Sequence, residues 1–271
     1  MRRARDRGPV ALVVALEAEL WHVLTAVDRV REKQDGIWLD RSATVAGLSV
    51  VAVRSGVGLI NAAAATERVI NAYRPWVVLN YGCAGAYRRD ILPGDVIIGT
   101  CVVHHSAVQF LATGEERYSG FGYEVGGEQV QVTELACAPA LVQAAREVAA
   151  DYLPMAWPRD LHWPVAVPYR EPLMHIGAIA SADVWTQSPA RLDLLHRRHG
   201  ALCEDMEAAA VAQVCALHSV PFLTIKDISN NEFHTVTDIT GGFTNFPKTE
   251  AGRRAAALIL RLIERLAASS A

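Results

Sequence analysis

Short apolar runs alternate with stretches of helical periodicity along most of the chain, and this alternation constrains the fold more than any other feature. The runs predict strands at Val10–Ala15, Thr44–Val53, Trp76–Tyr81, Asp95–Ile98, Leu173–Ser181 and Pro221–Ile225. The periodic stretches predict helices at Asn61–Tyr73, Ser188–His199, Met206–His218 and Arg253–Ala268, and glycines predict turns at Gly56–Gly58 and Gly82–Gly85. Strands separated by helices build a sheet that is covered on both faces, so we expect an α/β fold, a three-layer α/β/α sandwich.

The length fits one large domain. With 271 residues, 51% of them hydrophobic, the chain can bury a sizeable core. Four arginines before Pro9 predict a disordered basic tail over residues 1–9, which leaves residues 10–271 as a single domain. The segment 152–172 holds five prolines and two tryptophans, so we expect a long, structured loop there.

Charge and motif content exclude several classes of function. A net charge of −3 offers no basic field for nucleic acid or a membrane surface, and the apolar run Val10–Leu16 is too short to span a bilayer. Five widely spaced cysteines without a CxxC pair indicate reduced thiols in a cytoplasmic protein. No metal-ligand spacing is present, and Asn61 stands where a dinucleotide fingerprint needs its third glycine.

Acidic and aromatic residues follow several of the predicted strands. Glu17 and Glu19 come directly after the first strand, Asp183 and Trp185 follow another, and Glu207 opens a helix. The carboxyl ends of strands are where open α/β sheets bind ligands. An acidic residue in the first turn of a helix also complements the helix dipole, so spacing alone leaves both a site and a scaffold role open.

Six segments, taken together, resemble the purine nucleoside phosphorylase and nucleosidase superfamily, and most of all the methylthioadenosine/S-adenosylhomocysteine nucleosidases. They cover roughly residues 10–230 and read ALEAEL (15–20), RSGVGLINAA (54–63), NYGCAGAYRRDILPGDVIIG (80–99), FGYEVGG (121–127), IASADVW (179–185) and EDMEAAAVAQVCALHSVPFLTIKDISN (204–230). The resemblance implies a mixed, twisted central sheet, a small-molecule nucleoside as the partner, a homodimer, and no metal or organic cofactor.

The resemblance also implies a role for each matching residue. Glu19 takes the place of the carboxylate that activates the attacking water, and Glu207 that of the carboxylate that holds the ribose hydroxyls, with Met206 against the sugar. Trp185 matches the aromatic residue that stacks on the base, and Thr186 the residue whose backbone reads the edge of the base. The turn that lies near the sugar and the water is formed by Cys83, Ala84 and Gly85, although serine or threonine is commoner at the first of these positions.

Two departures from the family pattern bear on the reaction. Asn80 stands where phosphorylases carry a phosphate-binding arginine, which favours water as the nucleophile. Asn230 stands where adenine-cleaving nucleosidases carry an aspartic acid. An amide cannot deliver a proton, but it can donate a hydrogen bond to N7 and to a 6-oxo group, as in inosine phosphorylases and futalosine hydrolases.

We therefore expect a nucleosidase that cleaves the N-glycosidic bond of a purine nucleoside, one modified at the 5′ position or not, with a preference for 6-oxopurine bases. The alternatives are an adenine-type nucleosidase in which Asp227 or a water supplies the proton, a phosphorylase, and a binding protein without turnover. In an extended strand Asp227 would point away from the face of Asn230. The side chains around the 5′ group come from stretches outside the resemblance, Phe243 and Phe246 among them.

Overall fold

The computed structural model describes residues 7–161, 163–238 and 249–269. The strands are β1 (Val10–Val14), β2 (Arg31–Asp35), β3 (Trp38–Val45), β4 (Leu48–Arg54), β5 (Val77–Ala86), β6 (Val96–His104), β7 (Val108–Phe110), β8 (Glu116–Tyr118), β9 (Phe121–Val125), β10 (Glu128–Val132), β11 (Leu135–Ala136), β12 (Met174–Ser181), β13 (Ala201–Asp205) and β14 (Phe222–Asn230). The helices are α1 (Glu17–Leu24), α2 (Leu59–Tyr73), α3 (Pro139–Ala150), α4 (Pro189–His199), α5 (Ala208–Leu217) and α6 (Arg253–Ala268).

The predicted α/β/α sandwich with a mixed central sheet is confirmed. Ten strands form the sheet, in the order β11-β6-β12-β13-β5-β1-β4-β3-β2, with β14 paired to both β5 and β6. β1 runs parallel to β4 and β5, whereas β13 runs antiparallel to β5. The strands β5, β14, β6, β12 and β13 pair in a closed ring, which the sequence did not indicate.

Local sequence explains where the best-predicted helices begin and end. Ser188 caps α4 by accepting the backbone N–H of Arg191, and Gly200 ends it in a left-handed conformation with φ of 65°. α6 carries its apolar side chains on one face, and Leu258, Ile259 and Leu262 on that face are fully buried. Helices α2 and α5 pack together, as α6 does with α1 and α3.

One strand prediction and one turn prediction were wrong in detail. The range Thr44–Val53 spans the end of β3, a tight turn at Ala46 and Gly47, and β4, so it is a hairpin rather than one strand. The range Gly82–Gly85 is part of β5 and not a turn. Gly82 allows the Glu19 side chain to approach the strand closely, because a Cβ atom at Gly82 would lie 2.7 Å from Glu19 Oε1.

The structure describes the predicted tail only from Arg7 onward, and it describes the loop 152–172 except for residue 162. Of the predicted tail, residues 1–6 lie outside the described residues, while Arg7 stacks on the Trp76 ring with 5.6 Å between its guanidinium carbon and the ring centroid. The loop 152–172 is packed on the body of the protein through Trp157, which is 1% exposed and lies against Arg254. No helix in the described part of the chain is long and apolar enough to cross a bilayer.

Candidate active site

A pocket lies at the carboxyl ends of β1, β5, β13 and β14. This is the edge where open α/β sheets bind their ligands. All of the site residues predicted from the sequence line it: Glu19, Cys83, Ala84, Gly85, Trp185, Thr186, Met206, Glu207 and Asn230. Residues that are up to 211 positions apart in sequence thus meet at one place, as the resemblance implied. Phe243 and Phe246 lie outside the described residues.

Glu19 is held in the first turn of α1 by two backbone donors. Its Oε1 accepts the N–H of Cys83 at 2.8 Å and its Oε2 accepts the N–H of Leu16 at 3.0 Å. The side chain is 2% exposed, and burial raises its pKa above the ordinary value of a glutamate. Burial also raises the pKa of the neighbouring Cys83 thiol, so Cys83 is a neutral residue. Glu19 is therefore a fixed carboxylate of increased basicity.

Glu207 directly precedes α5, and its side chain lines the pocket. Its Oε1 accepts the backbone N–H of Gly58 at 2.9 Å, which ties it to the start of α2. Burial, together with the nearby charge of Asp205, raises the pKa of Glu207 well above its ordinary value. The Asp205 carboxylate is neutralised from behind by the buried Lys226, with 2.6 Å between Oδ2 and Nζ. The remaining oxygen of Glu207 is available to the pocket.

Asn230 has a side-chain amide of fixed orientation. Its Oδ1 accepts the hydroxyl of Ser229 at 2.8 Å, and its Nδ2 donates to Glu232 Oε1 at 2.8 Å. A flipped amide would place Oδ1 against the Glu232 carboxylate, acceptor against acceptor. Nδ2 lies over Gly85, 3.2 Å from where a Cβ atom of that residue would be. It carries two hydrogens and Glu232 accepts one, so one N–H remains for a ligand in the pocket.

Trp185 and Thr186 line the pocket from the segment that follows β12. The indole N–H of Trp185 donates to Glu232 Oε1 at 3.3 Å, which links the ring to the Asn230 cluster. The backbone N–H of Thr186 donates to Glu204 Oε1 at 2.9 Å. The N–H of Thr186 is thus bound to a carboxylate, and the expectation that the Thr186 backbone reads the base stays a prediction.

Several candidates from the sequence lie outside the pocket. Glu17 forms a bidentate ion pair with Arg41. Asp183 accepts the backbone N–H of Leu59 at 2.7 Å and so caps α2. Asp227 is buried on the far side of β14, where its Oδ2 accepts the backbone N–H of Arg254 at 2.8 Å. Burial raises the pKa of Asp227 to about 7, but the side chain is not among those that line the pocket.

Asn80 has a structural role. Its Nδ2 donates to the carbonyl oxygen of Val13 at 2.9 Å, and its Oδ1 accepts the hydroxyl of Thr224 at 2.8 Å. It is 1% exposed and joins β1, β5 and β14. The side chain at the position where phosphorylases carry a phosphate-binding arginine therefore holds three strands of the sheet together.

The sequence analysis missed Glu204 and Glu232, which line the pocket and are 8% and 4% exposed. Glu204 lies in β13 and is the first residue of the matching segment 204–230, and Glu232 lies two residues after Asn230. A charged residue inside an otherwise buried strand was the available signal for Glu204. Among the described residues, no group of histidine, cysteine and acidic side chains could hold a metal ion.

Comparison with known proteins is consistent with this geometry. The family model described as the phosphorylase superfamily matches residues 9–266. The chain belongs to this superfamily. The match extends past residue 230, where the resemblance of the separate segments ended, and includes α6.

Within the superfamily, the chain is 29% identical over 263 residues to the 5′-methylthioadenosine/S-adenosylhomocysteine nucleosidase of Shewanella oneidensis, covering 96% of this chain and 98% of that one. It is 33% identical over 190 residues to the nucleosidase of the same name from Anoxybacillus flavithermus, covering 70% and 71%. The structure of the Neisseria meningitidis nucleosidase with methylthio-immucillin-A matches with a TM-score of 0.73 and 25% identity, over 94% of this chain and 98% of that one. The futalosine hydrolase of Helicobacter pylori shares the fold, with a TM-score of 0.73 and 20% identity over 94% and 97%.

Proposed function

We propose that the chain is a nucleosidase that hydrolyses the N-glycosidic bond of a purine nucleoside and releases free base and sugar. One observation carries the proposal: the pocket joins two buried glutamates, Glu19 and Glu207, to a fixed amide donor, Asn230. The named nucleosidase relatives support it. Breaking this bond places positive charge on the sugar and negative charge on the departing base, and the pocket offers a group for each.

Glu19 is the general base in this proposal. A water held by its carboxylate would lose a proton to it while attacking the anomeric carbon. The raised pKa of Glu19 makes it a stronger base than an exposed glutamate. Glu207 accepts hydrogen bonds from the two ribose hydroxyls, and Met206 packs on the sugar, which holds the anomeric carbon in place.

Water is the proposed nucleophile because the pocket is acidic. Among its lining residues, taken from the described ranges 7–161, 163–238 and 249–269, there is no arginine, lysine or histidine. The acidic side chains of the lining are Glu19, Glu204, Asp205, Glu207 and Glu232, and of these Asp205 is neutralised by the buried Lys226. Such a lining repels a phosphate anion and stabilises a cationic sugar in the transition state.

The proposed base is a 6-oxopurine. The remaining N–H of Asn230 can be shared between N7 and a 6-oxo oxygen, both of which are acceptors. The exocyclic amine of adenine would turn its own N–H groups toward the N–H of Asn230, so that two hydrogen-bond donors would face each other. Glu232 opposes a flip of the amide, because the flip would turn Oδ1 toward its carboxylate and break the bond that Nδ2 donates to it, whereas the Ser229 hydroxyl could accept as well as donate.

Cleavage of 5′-methylthioadenosine and S-adenosylhomocysteine is the second candidate, and the names of the relatives at 29–33% identity favour it. In that case a water has to supply the proton to N7, because Asp227 bonds to Arg254 outside the pocket.

The predicted homodimer and cytoplasmic location stay predictions. The exposed side chains of Ile60 and Leu217, which line one apolar groove between α2 and α5, support the homodimer.

A base-release assay with inosine, futalosine, adenosine, 5′-methylthioadenosine and S-adenosylhomocysteine tests the proposal. We expect release of base, with inosine cleaved about 10- to 100-fold more efficiently than adenosine, since one mispaired buried donor costs about 1–3 kcal/mol. Faster cleavage of the adenine substrates would favour the second candidate. If none of these nucleosides released its base, the remaining alternative would be a protein that binds a nucleoside without cleaving it.

A further inference from the structure

The backbone at the start of α6 packs against the side chain of Glu19. Gly252 directly precedes α6 and has a left-handed conformation with φ of 70°. A Cβ atom on Gly252 would lie 3.0 Å from Glu19 Cγ and 3.4 Å from the Cα atom of Gly82 in β5, so the backbone approaches both more closely than a larger residue could. Gly252 contacts the aliphatic stem of Glu19, whose carboxylate lies at the pocket. The position of the Glu19 side chain therefore depends on where α6 begins.

Asp227 holds the start of α6 on the central sheet. Its Oδ2 accepts the backbone N–H of Arg254 at 2.8 Å, one of the N–H groups in the first helical turn that have no acceptor within the helix. Gly252, at the capping position, has no side chain that could accept it. In the sheet Asp227 pairs with Cys83, the residue whose backbone N–H donates to Glu19. Neighbouring positions of β5 and β14 thus fix both the carboxylate of Glu19 and the segment behind its stem.

The side chain of Arg254 joins the loop after α3 to this start of α6. Arg254 is fully buried, and its guanidinium donates to Glu250 Oε2 at 2.8 Å and to the carbonyl oxygen of Ala156 at 2.7 Å. Its Nη1 lies 3.6 Å from Asp227 Oδ2, and its Cζ lies 4.9 Å from the ring centroid of Trp157. A buried charge is stable only with partners of this kind. The two carboxylates, the guanidinium and the loop therefore form one buried network beside Gly252.

We propose that Asp227 is a positioning residue for the reaction, because by anchoring α6 it keeps Gly252 packed on the stem of Glu19. The inference rests on the proposed function, in which Glu19 is the general base. Asp227 does not line the pocket, so it acts through Glu19 and not on the substrate. Without this anchor the first turn of α6 loosens, since one of its N–H groups loses its acceptor. Glu19 then loses part of its burial, and burial is what raises its pKa.

Two substitutions of Asp227 separate anchoring from charge. Asp227→Asn keeps an oxygen that can accept the Arg254 N–H, whereas Asp227→Ala removes it, and both variants lose the same carboxylate. The charged groups that interact with Glu19, Lys226 and Glu207, are retained in both. The readouts are the pKa of Glu19, followed on the full chain by NMR of its carboxyl carbon, and kcat and KM for inosine per folded enzyme.

The expected results differ between the two variants. In the wild type the midpoint of the Glu19 titration lies above pH 4.5. Asp227→Ala should move this midpoint toward 4.5 and lower kcat about 10-fold or more with KM little changed, because catalysis is sensitive to small displacements of a catalytic group. Asp227→Asn should stay close to wild type in both readouts. Asp40→Ala is the matched control, because Asp40 is also buried, pairs with Arg68 and does not line the pocket, and it should change neither the midpoint nor kcat.

The outcomes separate this inference from the proposed function. An unchanged midpoint in a folded Asp227→Ala variant overturns the inference, and so do equal shifts in Asp227→Ala and Asp227→Asn, which would reflect the lost charge alone. If Asp227→Ala fails to fold, Gly252→Ala decides, since its methyl group would press on the Glu19 stem. We expect a lower kcat in that variant, and a near-normal kcat would overturn the inference. If the midpoint moves as expected but the wild type cleaves no nucleoside, the anchoring of Glu19 by Asp227 stands and the proposed hydrolysis fails.

Discussion

Replacing Glu19 by glutamine separates the proposed chemistry from the structural role of this side chain. The carboxylate accepts one backbone N–H at each oxygen, from Cys83 and from Leu16. Glutamine keeps one acceptor oxygen and places an NH₂ group against the other N–H. Glu19→Gln therefore preserves the shape of the side chain but loses one hydrogen bond and the negative charge.

The two losses have different magnitudes and different readouts. One buried N–H left without an acceptor lowers the free energy of unfolding by about 1–3 kcal/mol. For a chain of this size that shifts the melting temperature by several degrees, at roughly 2–4 °C per kcal/mol. Loss of the general base lowers kcat by about 10²-fold or more. Reduced stability changes how much protein is folded, and it does not change turnover per folded molecule.

The assay is steady-state base release per folded enzyme, together with thermal unfolding. Glu17→Gln is the matched control, because Glu17 lies in the same helix and loses a bidentate ion pair with Arg41, yet it does not line the pocket. We expect kcat to fall in Glu19→Gln with KM little changed, and both constants to stay close to wild type in Glu17→Gln. A Glu19→Gln enzyme with a near-normal kcat would remove Glu19 from the mechanism, and equal losses in both variants would point to a general defect.

Three further predictions concern pH, base preference and stability. Because Glu19 must be ionised to act as a base and burial raises its pKa, kcat/KM should fall as the pH is lowered, with the midpoint of the fall above pH 4.5. A midpoint below pH 4.5 would contradict this. Asn230→Asp should narrow or reverse the preference for inosine over adenosine, since an aspartic acid can protonate N7 and accept from the amine; an unchanged ratio would show that residue 230 does not face the base. Asp95→Asn breaks the buried ion pair with Arg170 and should lower the free energy of unfolding by about 3–5 kcal/mol. Burial alone would raise the pKa of Asp95, but Arg170 holds it below 3.8, so denaturant titrations should show this difference at neutral pH and lose it only as the pH falls below 3.8.

The alternation of apolar runs predicted the sandwich because local periodicity reports directly on which faces are buried. β1 and α6 were predicted within one residue, since one is apolar throughout and the other strictly amphipathic. The hairpin of β3 and β4 was missed because Ala46 and Gly47 make a turn without a strong sequence signal. The closed ring of strands depends on pairings between distant segments, about which periodicity carries no information.

The residues of the site likewise fall into those that the sequence predicted and those that it did not. The resemblance placed Glu19, Glu207 and Asn230 in one pocket because their segments match a family pattern. Glu204 and Glu232 could not be found in that manner, since their importance lies in contacts to Thr186 and Asn230 that only the folded chain reveals. These contacts determine which donors and acceptors are already used within the protein, among them the Thr186 N–H.

Product analysis in the presence of phosphate tests the central claim most directly. The wild-type protein is incubated with inosine or futalosine, once without phosphate and once with saturating phosphate, and the sugar product is identified. Hydrolysis by water at Glu19 predicts free sugar in both cases, at the same rate. Formation of sugar 1-phosphate, or release of base only when phosphate is present, would contradict it.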